Sequence, residues 1–154
     1  MYNGIWVLHD YVGSIGTSSQ YSSRTLTHEV GHWLNLDHTW SDNNNPGNSS
    51  SCNDDDNCDD TPRCIGVTSC NLTSNTCSND AVDGYWGSDV IDNIENYMEY
   101  SYCSKMFTED QKTRMRSALN SNSTGRKNLW STSNLNYTGV NVAPTLCAAD
   151  FYAE

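Results

Sequence analysis

The sequence predicts an α+β fold whose C-terminal part is made of loops held together by disulfides. Three observations carry this. Residues 4–12 alternate apolar and polar side chains as a strand does, and residues 22–34 and 108–119 repeat apolar side chains at helical spacing. Between the two helical stretches lies a Ser-, Asn- and Asp-rich segment that holds six of the seven cysteines. A chain of 154 residues suffices for one domain with a modest core, and a hydrophobic content of 36% is low for a compact unit.

The elements follow in order. The run from Gly4 to Val12 is rich in Ile, Trp, Val and Tyr and stops at Gly13-Ser14-Ile15-Gly16. His9 within it reads as an ordinary strand residue. After a polar loop the first helix starts at Ser22 or Ser23, either of which can cap it, and Leu26, Val30, Trp33 and Leu34 are its expected buried face. The loops that follow contain an acidic turn with five aspartates between Asp54 and Asp60, then a short apolar pattern around Met98. A second helix begins at Thr108, which forms a capping box with Gln111, and Met115 and Leu119 give its apolar stripe. The tail after Asn120 is polar.

Composition also limits function. Nineteen acidic against eight basic residues give a net charge of −11, which argues against nucleic acid and anionic membranes as partners. No apolar run reaches the ~18 residues of a membrane span, so no membrane insertion is expected. Seven cysteines without a CxxC pair point to an oxidising, extracellular compartment and to disulfides rather than a cysteine zinc cluster. The odd count leaves one over, and Cys147 is the candidate. No signal peptide opens the chain, so a secreted protein of this sequence is expected to be a mature form or a fragment.

The chemistry concentrates in His28-Glu29-Val30-Gly31-His32-Trp33-Leu34-Asn35-Leu36-Asp37-His38, which holds three of the four histidines. Histidines at i and i+4 share one helix face with Cβ atoms ~5–6 Å apart, so both imidazoles can reach one zinc ion at ~2.1 Å. Glu29 is placed to take a proton from a zinc-activated water. His38 lies six residues beyond His32. A continued helix would rotate it by about 600° away from the metal, so the helix must break, and Asn35 stands where a left-handed residue can break it.

This segment resembles the metzincin pattern HExxHxxGxxH, with Asn35 in the glycine position. Together with Arg24-Thr25-Leu26-Thr27 before it, Asp56-Asn57-Cys58-Asp59-Asp60-Thr61-Pro62, Asn96-Tyr97-Met98-Glu99-Tyr100-Ser101, and Met106-Phe107-Thr108 with Gln111, it is similar to the pappalysin family. The resemblance extends from about Asn3 to Gly139. It implies a zinc endopeptidase in which His28, His32 and His38 hold zinc, Glu29 is general base and acid, Met98 is the Met-turn residue beneath the metal, and Tyr100 stabilises the tetrahedral intermediate. A core tyrosine is the plain alternative for Tyr100. The same resemblance implies structural calcium held by Asp56, Asp60 and Thr61 with backbone carbonyls, against a solvated acidic loop as the plain reading. It also implies disulfides Cys52–Cys77 and Cys70–Cys103, leaving Cys58 and Cys64 as an extra pair across Thr61-Pro62.

Protein or peptide is the implied substrate, and the sequence says nothing of oligomeric state. The resemblance further implies that residues 1–142 are a partial catalytic domain whose N-terminal sheet is largely absent. Residues 143–154 are then a linker or the start of a following module, similar to a polycystic-kidney-disease-type β-sandwich. Two other classes stand against the endopeptidase. An aminopeptidase would take a downstream glutamate, Glu95 or Glu99, as third ligand. A secreted, metal-stabilised binding or adhesion module would close the zinc shell with a fourth protein ligand.

Overall fold

A computed structural model describes residues 4–140, which fall into two compact units, Met1–Ala118 and Leu119–Glu154. The described residues include three α-helices: α1 (Thr25–Trp33), α2 (Glu109–Asn120) and α3 (Thr132–Tyr137). Four short 3-10 turns cover His9–Tyr11, Ser49–Asn53, Asp80–Asp83 and Arg126–Trp130. Among the described residues, no helix is long and apolar enough to cross a membrane.

Among the described residues there are no strands, only two isolated bridges, His38 to Ser41 and Asn96 to Met106. The β part of the expected α+β fold is therefore corrected. Residues 4–8 have no regular structure, His9–Tyr11 is a 3-10 turn, and Trp6 is 93% exposed. A strand needs a partner for its backbone groups, and among the described residues no backbone ladder forms along this run.

Without a sheet, the backbone amides of the loops need other acceptors, and buried carboxylates provide them. Asp80 accepts from the backbone N–H of Arg63 (2.8 Å) and Val90 (3.0 Å). Asp92 accepts from the N–H and hydroxyl of Thr76. Glu99 accepts from the N–H of Val67 (2.7 Å) and Tyr100 (3.0 Å) and from the Thr39 hydroxyl (2.9 Å). Burial holds the Glu99 carboxyl above its usual range, with these donors opposing the shift. Part of the acidity of the chain is thus internal scaffolding.

Disulfides Cys52–Cys77 and Cys70–Cys103 close loops spanning 25 and 33 positions, each a constraint of about 3–4 kcal/mol on the unfolded chain. Cys58 and Cys64 are free thiols, which corrects the extra pair. They face different surroundings: Cys64 lies against Thr39 and Glu99, whereas Cys58 lies in the field of Asp56, Asp60 and Arg114. Burial pushes the Cys58 thiol up to about 12 and the Cys64 thiol higher still, so both stay protonated. Cys147 lies outside the described residues, as does the segment 143–154.

Helix α1 starts at Thr25 with Arg24 as its cap residue, not at Ser22 or Ser23. The Ser22 hydroxyl is spent on the Asp10 carbonyl (3.2 Å) within a preceding turn. The buried residues of α1 are His28 and Gly31; Leu26 is 37% exposed, and Val30, Trp33 and Leu34 are half-buried, so the expected apolar stripe is not the packed face. Packing runs instead through Gly31. A Cβ there would sit 2.3 Å from the Met98 sulfur, so glycine lets the fully buried Met98 rest directly on the helix backbone.

Helix α2 follows the expected capping box. The Gln111 N–H donates to the Thr108 hydroxyl (3.2 Å), and the Thr108 N–H donates to Gln111 Oε1 (3.0 Å). Gln111 is fully buried and also accepts from Asn96 Nδ2 (2.9 Å), while Asn96 Oδ1 accepts from the Met98 N–H (2.8 Å). The cap of α2 therefore fixes the turn that carries Met98. In the second unit, α3 is capped by the Ser131 hydroxyl, which accepts from the Asn134 N–H (3.2 Å). The polar sequence after Asn120 gives no strong sign of this short helix.

Candidate active site

His28 and His32 project from one face of α1. The helix ends at Trp33, and Asn35 takes φ +73°, a left-handed conformation that asparagine tolerates. The chain then turns back and brings His38 to the other two. The Nε2 atom of His32 lies 3.0 Å from that of His28 and 3.1 Å from that of His38. Among the described residues, these three are the group whose ligand atoms all lie within 4.8 Å of one another.

Each imidazole is held from behind by a backbone carbonyl. Nδ1 of His28 donates to Tyr97 O (2.7 Å), that of His32 to Leu36 O (2.8 Å), and that of His38 to Asn43 O (2.9 Å). A carbonyl only accepts, so the proton sits on Nδ1 and the Nε2 lone pairs point at one another. Three converging lone pairs repel unless a cation lies between them. The two spacings from His32 are within about 0.4 Å of the ~3.4 Å edge of a tetrahedron with ~2.1 Å bonds, so the donor set fits zinc in chemistry and in size.

Burial favours the neutral form of His28 and His38. The His38 imidazole is lowered to about 3, first by desolvation and then by His32 and His28; desolvation also lowers His28, with the Tyr97 carbonyl opposing it. Trp40, almost wholly buried, stacks on the His38 ring with centroids 4.3 Å apart and planes at 4°. Gly66 (φ +76°) makes room for it, since a Cβ there would meet the Trp40 ring at 2.5 Å.

Glu29 lines a polar cavity of about 400 Å³ shared with the three histidines, Asp42 and Tyr100. The Tyr100 ring lies 4.9 Å from that of His38 and 5.4 Å from that of His28, and its hydroxyl donates to Asn44 Oδ1 (3.2 Å). Burial, then the charge of Glu29, raises the phenol, so it remains a hydrogen-bond donor at neutral pH. Met98 lies beneath α1 as described.

These features match known proteins. Residues 1–120 match the peptidase M43 family, described as pregnancy-associated plasma protein-A. The chain belongs to this family of zinc metalloproteases. An extracellular metalloprotease of Colletotrichum graminicola is 38% identical over 120 residues, 75% of this chain and 38% of the relative. One from Verticillium alfalfae is 36% identical over 122 residues, 77% of this chain and 38% of the relative. Among solved structures, mature mirolysin of Tannerella forsythia in complex with a cleaved peptide is 29% identical with a TM-score of 0.59, covering 88% of this chain and 46% of mirolysin. The chain thus spans less than half the length of each of these three proteins.

The acidic turn is partly accounted for by folding. Asp56 is buried and its Oδ1 accepts from the Cys58 N–H (3.0 Å) and the Thr61 hydroxyl (2.6 Å). Asp60 Oδ2 accepts from the Asp110 N–H (3.0 Å) and so helps to cap α2. Oδ2 of Asp56 and Oδ1 of Asp60 remain buried without partners. Sequence reasoning missed Arg114, whose guanidinium donates to Asn35 O, to Asp56 O (3.0 Å) and to the Asp37 carboxylate (2.7 Å). It ties α2 to the helix break and the acidic turn. It also missed Trp40 and the three orienting carbonyls; backbone acceptors leave no trace in residue identity.

Proposed function

We propose that this chain is the zinc-binding core of a secreted endopeptidase, with His28, His32 and His38 as the metal ligands. The observation that carries this reading is the convergence of three Nε2 lone pairs beside Glu29, at the floor of an open polar cavity. An open side favours catalysis over a metal-stabilised binding module, which would surround its ion with protein. Zinc bound there supplies a Lewis acid that polarises the scissile carbonyl and acidifies water. Glu29 takes the proton of the attacking water and delivers it to the leaving nitrogen. Tyr100 releases Asn44 and donates its hydroxyl to the carbonyl oxygen as negative charge develops. Met98 supports the helix that carries the ligands, and Asn35 sets the break that returns His38.

The relatives named as extracellular metalloproteases and the two disulfides support secretion. Structural calcium at Asp56 and Asp60 is supported by their unpartnered buried oxygens, with Thr61 orienting Asp56 and backbone carbonyls completing the shell. Treating the full-length protein with a chelator, then restoring zinc, tests the main reading. Cleavage of internal bonds in a mixed peptide pool should stop and return; cleavage that persists in metal-free protein overturns it.

A further inference from the structure

A second cavity, of about 340 Å³, opens beside Glu29 on the side of the N-terminal turn of α1 and shares His28, Glu29 and Tyr100 with the Asp42-lined cavity. Its walls come from α1 and from the segment after Met98, and the edge-to-face pair Tyr21–Tyr102, with centroids 4.9 Å apart, joins the two. A side chain next to the scissile bond has this space to enter.

The charge of the cavity is what makes it selective. Arg24 lines it and makes no ion pair or side-chain hydrogen bond among the described residues. Glu99 lines it too, but its carboxylate is 3% exposed and both oxygens are taken by the donors of Val67, Tyr100 and Thr39. The segment Ser101-Tyr102-Cys103-Ser104 brings no acid. Apart from Glu29, committed to the proton transfer, and His28, whose Nδ1 is held by Tyr97 O, the remaining polar lining residues are Arg24 and Tyr, Ser and Thr residues. The guanidinium offers a carboxylate a charged donor, and the hydroxyls, which donate or accept, favour neither sign of charge. The adjoining cavity is lined by Asp37, which is paired with Arg114, and by Asp42. An anionic side chain therefore meets a cationic side chain in the Arg24-lined cavity and neither lysine nor arginine in the Asp42-lined one.

We propose that the Arg24 cavity selects an aspartate or glutamate side chain adjacent to the bond that is cut. This rests on the endopeptidase reading and names its substrate class. The net charge of −11 works against an acidic peptide as a whole, so the preference is local and is read as a ratio between peptides that differ at one position.

The test uses the full-length, zinc-loaded protein and matched peptides carrying Glu, Gln or Lys at each position flanking the cleaved bond. Cleavage is measured as kcat/KM. Binding is measured separately, by fluorescence anisotropy, on the Glu29→Gln protein. Glu should exceed Gln by roughly tenfold, about 1.4 kcal/mol, at one flanking position, and the ratio should shrink with added salt. Arg24→Ala should bring the ratio close to one, and Arg24→Glu should invert it in favour of Lys. Cleavage of all three peptides at equal rates, or a Glu preference that survives Arg24→Glu, overturns the proposal. A Glu preference in binding, abolished by Arg24→Ala, with no peptide cleaved by the wild type, upholds the cavity assignment and overturns the endopeptidase reading instead.

Discussion

The contact between Gly31 and Met98 makes a prediction whose sign depends on its partner. Gly31→Ala places a methyl 2.3 Å from the Met98 sulfur, well inside van der Waals contact, and Met98 is fully buried. Overpacking of this kind costs about 1–3 kcal/mol. Replacing glycine inside a helix by alanine returns about 1 kcal/mol, so the net change is a loss of roughly 0–2 kcal/mol. Met98→Ala alone leaves a cavity and costs about 2–5 kcal/mol. In that background the overlap is gone, the new methyl fills part of the void, and Gly31→Ala should stabilise by about 1 kcal/mol. Denaturant unfolding of the wild type, the two single variants and the double variant measures the coupling, expected at about 1–3 kcal/mol. An effect of Gly31→Ala that is the same in both backgrounds refutes the claim that Met98 seats the active-site helix.

Three other consequences can be checked. Arg114→Ala removes three donors and should destabilise by about 2–4 kcal/mol while loosening the return of His38; an unchanged unfolding midpoint would show that α2 does not anchor the helix break. Burial raises the Asp56 carboxyl from 3.8 to about 7, so the folded chain keeps a proton that the unfolded chain loses between those values. That stability is complete below pH ~4 and is lost as pH rises through 7, by on the order of 4 kcal/mol. Asp56→Asn should flatten the slope and calcium should counteract it above pH 7; a melting temperature indifferent to calcium there excludes calcium at this turn. Tyr100→Phe should lower kcat at least tenfold with KM nearly unchanged, and full turnover would reduce Tyr100 to a packing residue.

The site was more legible in the sequence than the fold. Side-chain spacing carries the metal chemistry: i and i+4 on one turn for His28 and His32, and a gap to His38 that geometry closes only if the helix breaks near Asn35. The capping box at Thr108 and Gln111 is equally local, and its two reciprocal bonds are both present. The strand at residues 4–12 misled because alternation describes a preference, and a strand exists only with a partner. The apolar stripe of α1 misled because the tight contact runs through a glycine, which carries no hydrophobic signal. Cys58 and Cys64 looked like a pair by elimination, yet nearness in sequence does not set where a sulfur points. The acidic turn reads as a cation site because its internal bonds, Thr61 to Asp56 and Asp110 to Asp60, join residues five and fifty positions apart, which composition does not reveal.

The central claim is that three histidines hold zinc and Glu29 performs the proton transfer. Bound zinc and peptide cleavage measured together on the wild type and on Glu29→Gln test it most directly. The account predicts one zinc per chain in both proteins and cleavage by the wild type alone. Zinc lost from Glu29→Gln, or cleavage retained by it, contradicts the account.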